Sequence, residues 1–91
     1  MRIRNITKEI DILRQVRDYL RWQGWYVYRN HQSLGSHKGL SDLTAIRDGK
    51  TVWIEIKKPI GKLSEHQVKF AEEIEAHGGK YLIVRKIEDL K

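Results

Sequence analysis

"LTAIRDGKTVWIEIK", residues 43–57, contains two apolar runs separated by the dipeptide Asp48-Gly49. Asp-Gly between two such runs is one of the strongest short signals for a β-hairpin with a two-residue turn. With this dipeptide at the centre of the turn, Arg47 faces Lys50, and every further pair follows by counting outward. The stretch therefore predicts both a pair of antiparallel strands and their register.

The predicted register brings two carboxylates together. Asp42 lies directly opposite Glu55, and opposed side chains have Cβ atoms about 4.5 to 5.5 Å apart, where like charges destabilise a sheet. A positive group is therefore expected between them. Because side chains alternate between the two faces of a strand, Lys57 shares the face of Glu55. The other face provides the core contacts, from Leu43, Ala45, Val52, Ile54 and Ile56.

The opposed carboxylates suggest a metal site. Two carboxylates at this distance suit a hard divalent cation such as Mg²⁺, which takes oxygen ligands and keeps several waters. The ammonium group of Lys57 beside them can orient or activate a water molecule, or stabilise charge on a phosphate. These groups together are sufficient for hydrolysis of a phosphodiester.

A first helix is predicted over residues 7–22, with Gly24 as its stop signal. Glu9 lies four residues before Leu13 and extends the apolar stripe of this helix, so it should point toward the core or a cleft at its edge and can supply a further carboxylate. The stripe consists of Leu13, Val16 and Leu20. A basic flank about a quarter-turn away consists of Arg14, Arg17 and Arg21.

The remaining segments complete an α-β-β-β-α-β order. Residues 25–29 are aromatic and β-branched, which favours a strand, and the polar stretch 30–40 is a long loop of the kind that is often functional or mobile. A capping box at 64–67 opens a helix that ends at 78–79, and 80–86 is a final strand followed by a partial turn or helix. The helical crossover makes the last two strands parallel. The expected fold is α/β, a mixed β-sheet flanked by helices.

Each candidate site residue also has a structural explanation. Gln67 shares a helix face with Phe70 and Ile74 and should point inward, where its amide can hold Lys57 or a water. The structural alternatives are a strand start for Asp42, ordinary surface charge for Glu55 and Lys57, dipole compensation for Glu9 and capping alone for Gln67. The combination favours a functional site, because an opposed pair, a same-face lysine and two inward polar residues would otherwise require several coincidences.

Composition narrows the class of protein. The 91 residues predict one domain, 1–91, and 18 Lys plus Arg against 12 Asp plus Glu give a net charge of +6, which suggests a polyanionic partner. The absence of cysteine excludes disulfides, thiol catalysis and cysteine zinc sites, and the four histidines match no metal-binding spacing. No apolar run is long enough for a membrane span, and the N-terminus lacks a signal-peptide core, so a cytoplasmic protein is expected.

The pattern of Asp42 followed by residues 55–57, Glu-Ile-Lys, resembles the PD-(D/E)xK nuclease signature, with Ser41 where the name has proline. A wider run adds specificity: Glu9 in the first helix, "YRN" at 28–30, "GLSDL" at 39–43, "IEIKKPIGKLSEHQ" at 54–67 and "GGKYLIVR" at 78–85. Together these segments resemble the VRR-NUC (virus-type replication-repair nuclease) family over nearly the whole chain. The Ser41 departure matters little, since the proline supplies no ligand.

The resemblance implies a restriction-endonuclease-like core and an endodeoxyribonuclease that depends on Mg²⁺ or Mn²⁺. The implied metal ligands are Asp42, Glu55 and the backbone carbonyl of Ile56, with Glu9 as a further helix-borne candidate. Lys57 is implied as the catalytic lysine and Gln67 as the motif glutamine. Standalone members of the family look like Holliday-junction resolvases in fold and pairing.

The expected substrate is DNA, selected by shape because no separate element suits major-groove reading. The candidate DNA-binding residues are Arg29, Asn30, His37, Lys38, Lys58 and Lys62, with solvated surface charge as the alternative for each lysine. Symmetric cleavage of a four-way junction needs two sites and hence a homodimer. The aromatic residues that can form its interface are Trp22, Trp25, Tyr26 and Trp53. The alternative is that they are core residues, and for most of them this is the better interpretation. A nucleic-acid-binding module or an accessory subunit without cleavage activity of its own remains the alternative function.

Overall fold

The computed structural model describes residues 8–91. Its elements are helix α1 (Glu9–Trp22), strands β1 (Tyr26–Arg29), β2 (Leu43–Arg47) and β3 (Lys50–Ile56), helix α2 (Glu65–Ala76), strand β4 (Lys80–Val84) and a short 3₁₀ helix (Ile87–Leu90). This order confirms the predicted α-β-β-β-α-β succession. The predicted start of the first helix at residue 7 lies outside the described residues.

The four strands form one mixed sheet in the order β1-β2-β3-β4. The pairs β1-β2 and β2-β3 are antiparallel, whereas β3 and β4 are parallel and are joined through α2. The helical crossover between neighbouring parallel strands therefore has the form predicted from the sequence. Neither helix among residues 8–91 is long and apolar enough to cross a membrane.

The hairpin register also agrees with the prediction. Arg47 pairs with Lys50 and Leu43 pairs with Ile54. The two turn residues have positive φ angles, 52° at Asp48 and 78° at Gly49, and such a turn matches the right-handed twist of the strands. The observed pairing ends at Leu43 and Ile54. Asp42 and Glu55 come next on the two sides, and they are close enough for the charge of Asp42 to act on Glu55.

The main core lies between the sheet and α1. The buried residues of α1 are Ile12, Leu13, Val16 and Leu20, and the buried sheet residues that meet them are Val27, Leu43, Ala45, Ile54, Ile56 and Val84. Four of the five hairpin residues predicted to face the core are buried, and Val52 is half-buried. Since these residues alternate with Glu55 along β3, the carboxylate side chain is directed to the opposite face.

Helix α2 packs on that opposite face and against β4, where the ring of Phe70 meets Tyr81 edge-on. This arrangement leaves part of the sheet near β1 uncovered. Trp22 is 81% exposed and Tyr26 68% exposed, so the interpretation of these two aromatics as core residues is wrong. Trp25 and Trp53 are half-buried. Tyr26 is exposed because β1 is an edge strand and α2 packs against β4, at the opposite edge of the sheet. Trp22 is the last residue of α1.

Candidate active site

The candidate site lies where the two central strands of the sheet end, at the start of β2 and the end of β3, and helix α2 approaches them there. Asp42 immediately precedes β2, Glu55 is the penultimate residue of β3, and Lys57 immediately follows β3. The backbone N–H of Lys57 donates to the carbonyl of Val84 at 3.0 Å, which ties the end of β3 to β4. Gln67 enters from the first turn of α2. Residues that are far apart in sequence are thus brought to one place by the sheet.

Glu55 is the most buried charged group of the site, at 3% exposed. Its Oε2 accepts a hydrogen bond of 2.9 Å from Nε2 of Gln67 and lies 3.8 Å from Nζ of Lys57. Its other oxygen, Oε1, is buried and has no hydrogen-bond partner among residues 8–91. A buried carboxylate oxygen without a partner is costly in a folded protein, so it marks a position that a ligand can satisfy.

Gln67 serves two purposes at once. Its Oε1 accepts from the backbone N–H of Ser64 at 2.9 Å, and its own backbone N–H donates to Oγ of Ser64 at 3.2 Å, which completes the predicted capping box. With its oxygen engaged in the cap, the amide nitrogen is directed at Glu55. The sequence favoured Lys57 or a water as the partner of this amide, whereas the structure gives it the carboxylate.

Asp42 is held by the backbone of the facing strand. Its Oδ2 accepts a 2.8 Å hydrogen bond from the backbone N–H of Ile56. Asp42 and Ile56 line a small pocket of about 80 Å³ together with Glu9 and Arg29. The side chain of Glu9 thus belongs to the cleft edge that its helical position predicted, although the residue is exposed.

Burial raises the pKa of both carboxyl groups. Burial, followed by the negative charge of Asp42, raises the pKa of Glu55 to about 8, and the positive charge of Lys57 only partly opposes this shift. Burial likewise raises the pKa of Asp42, although the Ile56 hydrogen bond counteracts it. The charge of Glu9 raises both values further. Without a cation, the site therefore holds a proton at neutral pH in place of its full negative charge.

The residues fit a hard divalent cation. Asp42 and Glu55 supply oxygen ligands. The Oε1 of Glu55 has no hydrogen-bond partner among the described residues, so it can coordinate a cation. No group of three or more metal-ligating side chains is present in the described part of the chain. Two carboxylates suit an ion such as Mg²⁺, which commonly binds through one or two carboxylates and keeps several waters. Glu9 contributes negative charge at the rim.

Five of the six predicted DNA-binding residues are exposed, and Asn30 is half-buried. Arg29 lines the small pocket beside Asp42, and Lys38, Lys58 and Lys62 are exposed. His37 is exposed too, and its ring contacts Phe70 at a centroid distance of 5.4 Å.

Asn30 differs from the other predicted DNA-binding residues because its amide is used within the fold. Its Nδ2 donates to the carbonyl of Ser41 at 3.0 Å and to Oγ1 of Thr44 at 2.9 Å, and its Oδ1 accepts from the same hydroxyl at 3.1 Å. Asn30 therefore fixes the segment that carries Asp42.

Two residues near the site have no clear signal in the sequence. The guanidinium of Arg85 donates to carbonyls of the segment that follows β3, although its position in "KYLIVRK" suggested only the end of a strand. The hydroxyl of Tyr81 is buried without a partner among the described residues, and burial together with the charges of Glu55 and Asp42 raises the pKa of this phenol. The hydrogen bonds of Arg85 and the burial of the Tyr81 hydroxyl both depend on the order of the strands in the sheet rather than on local sequence pattern.

Comparison with known proteins gives two matches. The family model described as "Archaeal holliday junction resolvase (hjc)" matches residues 5–90. A solved structure described as "VRR_NUC domain" superposes with a TM-score of 0.78 at 20% identity, covering 93% of this chain and 91% of that chain. A search of curated proteins gives no significant match. The fold agrees with the resemblance noted from the sequence, and both matches lie within the PD-(D/E)xK nuclease superfamily. The chain therefore belongs to the archaeal Holliday junction resolvase (Hjc) family, and this membership indicates a nuclease.

Proposed function

We propose that the chain is an endonuclease that hydrolyses phosphodiester bonds in DNA with Mg²⁺ or Mn²⁺ as cofactor. One observation carries the proposal: Asp42 and Glu55 lie close together beside the paired ends of β2 and β3, and the buried Glu55 Oε1 has no partner among residues 8–91. Lys57 lies beside this oxygen pair, with its Nζ 3.8 Å from Glu55 Oε2. These are the groups that metal-assisted phosphodiester hydrolysis requires.

The protein's contribution is to hold these groups in place. Gln67 fixes one oxygen of Glu55, and the N–H of Ile56 fixes one oxygen of Asp42. With the Ile56 carbonyl, the two carboxylates would hold the cation, which when bound supplies charge neutralisation on the phosphate and activation of water. The ammonium of Lys57 then contacts a non-bridging phosphate oxygen or orients the attacking water, and stabilises the negative charge that develops.

We further propose that the preferred substrate is branched DNA. Arg29 at the pocket and the exposed Lys38, Lys58 and Lys62 supply phosphate contacts, which position DNA without reading its sequence. In this proposal the catalytic unit is the single domain 1–91, located in the cytoplasm.

A homodimer is part of the same proposal. Two-fold pairing gives two active sites, as paired cuts in a four-way junction require. The exposed Trp22 and Tyr26 support it, because they leave apolar surface that a second copy can cover. A monomeric mass by light scattering at micromolar concentration would exclude the dimer.

A cleavage assay tests the proposal. Linear duplex, flap and four-way-junction DNA are incubated with Mg²⁺ or EDTA, and the native chain is compared with Lys57→Ala and Glu55→Gln. The matched controls are Lys69→Ala and Glu72→Gln, which remove the same charges from exposed positions of α2. We expect cleavage that needs the metal, that is lost in both site variants and that is kept in both controls.

Cleavage that persists in EDTA, or in either site variant, would reject the mechanism. Binding without cleavage by the pure native chain would favour a binding module or an accessory subunit. Equal rates on linear and branched DNA would reject the branched substrate while leaving the nuclease in place.

A further inference from the structure

The segment between β3 and α2 presents an aliphatic side chain to solvent. Ile60 is 93% exposed, although the loop that carries it is firmly held. Nη1 of Arg85 donates to the backbone carbonyls of Lys58 at 2.7 Å, Pro59 at 3.3 Å and Gly61 at 2.6 Å. The exposure of Ile60 therefore does not reflect a loose loop.

Three features make this loop rigid. A guanidinium that donates to carbonyls forms charge-assisted hydrogen bonds, which are stronger than neutral ones. The N–H of Gly61 donates to the carbonyl of Lys58 at 3.0 Å, which closes a turn around Ile60. Pro59, within the turn, has a fixed φ. Ile60 is thus held outward on a preorganised support, so little conformational entropy is lost when its side chain meets a partner.

The loop adjoins the candidate active site. It begins directly after Lys57, and a Cβ added at Gly61 would lie 3.6 Å from Cδ of Lys57, so the backbone of the turn borders the lysine stem. Lys58 and Lys62 are exposed on either side of Ile60 in sequence. An apolar tip between two cations suits DNA, since phosphates lie outside the base stack and apolar surface lies within it.

We infer that Ile60 acts as a wedge that enters the base stack of DNA at a branch point, while Lys58 and Lys62 contact the adjacent phosphates. Apolar side chains inserted between base steps are an established means of unstacking DNA. A branch point is the cheapest place to insert one, because stacking is already interrupted there. The inference rests on the proposed function and adds a residue that selects branched over linear DNA.

A fluorescence titration tests the wedge. A four-way junction and a linear duplex each carry 2-aminopurine, at the branch or at the centre, and are titrated in EDTA with the native chain and with Ile60→Ala. The matched control is Leu34→Ala, which removes a fully exposed aliphatic side chain from the 30–40 loop. Unstacking of 2-aminopurine increases its fluorescence.

We expect the native chain and Leu34→Ala to raise the junction signal several-fold, and Ile60→Ala to lose most of that rise. Because an isoleucine side chain is stabilised when it leaves water for an apolar environment, affinity for the junction should fall roughly tenfold in Ile60→Ala. Affinity for linear duplex should change less than about twofold by the same reasoning. Arg85→Gln, which removes the charged donor, should weaken the junction signal as Ile60→Ala does.

The wedge is overturned if Ile60→Ala keeps the native fluorescence rise, if Leu34→Ala loses as much of it, or if Ile60→Ala weakens duplex and junction binding equally. Metal-dependent cleavage by the native chain in a parallel reaction would show that the nuclease proposal survives such a result. Failure of the native chain to bind or cut any of these DNAs would count against the proposed function itself.

Discussion

Replacing Glu55 by glutamine should remove most of the pH dependence of stability that the metal-free protein shows between about pH 5 and pH 8. The folded-state pKa of Glu55 is raised to about 8 by burial and by the charge of Asp42, against an ordinary value of 4.5. Between these two values the folded chain holds a proton that the unfolded chain has released. Stability must therefore fall as pH rises through this interval, and level off above pH 8.

The size of the effect follows from one proton. Each pH unit within the interval changes the free energy of unfolding by about 1.4 kcal/mol. From pH 5.5 to pH 7.5 the native chain in EDTA should lose about 3 kcal/mol on that basis. For a small domain with about 5–15 kcal/mol of total stability, this is a large fraction.

Glutamine keeps the volume of Glu55 and a carbonyl oxygen that can accept from Gln67, but it cannot ionise. The Glu55→Gln variant should therefore show a much smaller slope and be more stable than the native chain at pH 8 in EDTA. Added Mg²⁺ should narrow that difference, because a ligand at 100 times its Kd stabilises the folded state by about 2.7 kcal/mol. The gain should belong to the native chain alone.

Urea denaturation followed by circular dichroism, at pH 5.5, 6.5, 7.5 and 8.5 with EDTA or Mg²⁺, measures these free energies. Glu72→Gln on the exposed side of α2 is the control for removal of a glutamate and should keep the native slope. A native stability that stays level or rises from pH 5.5 to 7.5 in EDTA would refute the reasoning. So would a Glu55→Gln variant that retains the full native slope.

Two further substitutions, each with a control variant, test how the site is supported. Gly39 has a φ of 77°, and a Cβ there would overlap a backbone carbonyl in the first turn of α2, so Gly39→Ala should cost about 2 kcal/mol or more in urea denaturation. Gly35→Ala, with open space around it, should be nearly neutral, and equal stability of the two variants would contradict the close approach. Gln67→Ala and Ser64→Ala both break the capping box and should each cost about 1 kcal/mol. Of these two residues, Gln67 alone contacts Glu55. We therefore expect Gln67→Ala to lower the Mg²⁺-dependent cleavage rate by about 10- to 100-fold and Ser64→Ala to leave it near the native rate. Equal losses of cleavage rate in the two variants would mean that the cap alone matters.

Much of the fold follows from local pattern. Asp48 and Gly49 tolerate the positive φ angles that a tight hairpin turn requires, and counting outward from them gives the observed pairing as far as Leu43 and Ile54. The capping box at Ser64 begins α2 at the expected place. Such features depend on residues close together in sequence, so their energies can be judged without knowledge of the rest of the chain.

The ends of the strands and the exposure of the aromatic side chains were less predictable from the sequence. The third strand was expected to include Lys57 but ends at Ile56, and the first was expected to include Trp25 but begins at Tyr26. Exposure of Tyr26 depends on which half of the sheet α2 covers. Both faces of the sheet carry apolar residues, so alternation alone does not decide where the helix packs.

The sequence by itself determined that two carboxylates and a lysine share one face of a hairpin, because the side-chain period of a strand and the turn dipeptide fix that geometry. Only the tertiary structure decided that the Gln67 amide reaches Glu55 and that Arg85 holds the turn around Ile60. Those contacts join segments that meet only when β4 lies beside β3 and α2 crosses the face of Glu55. The raised pKa of Glu55 has the same origin, since burial depends on what every neighbouring element excludes from water.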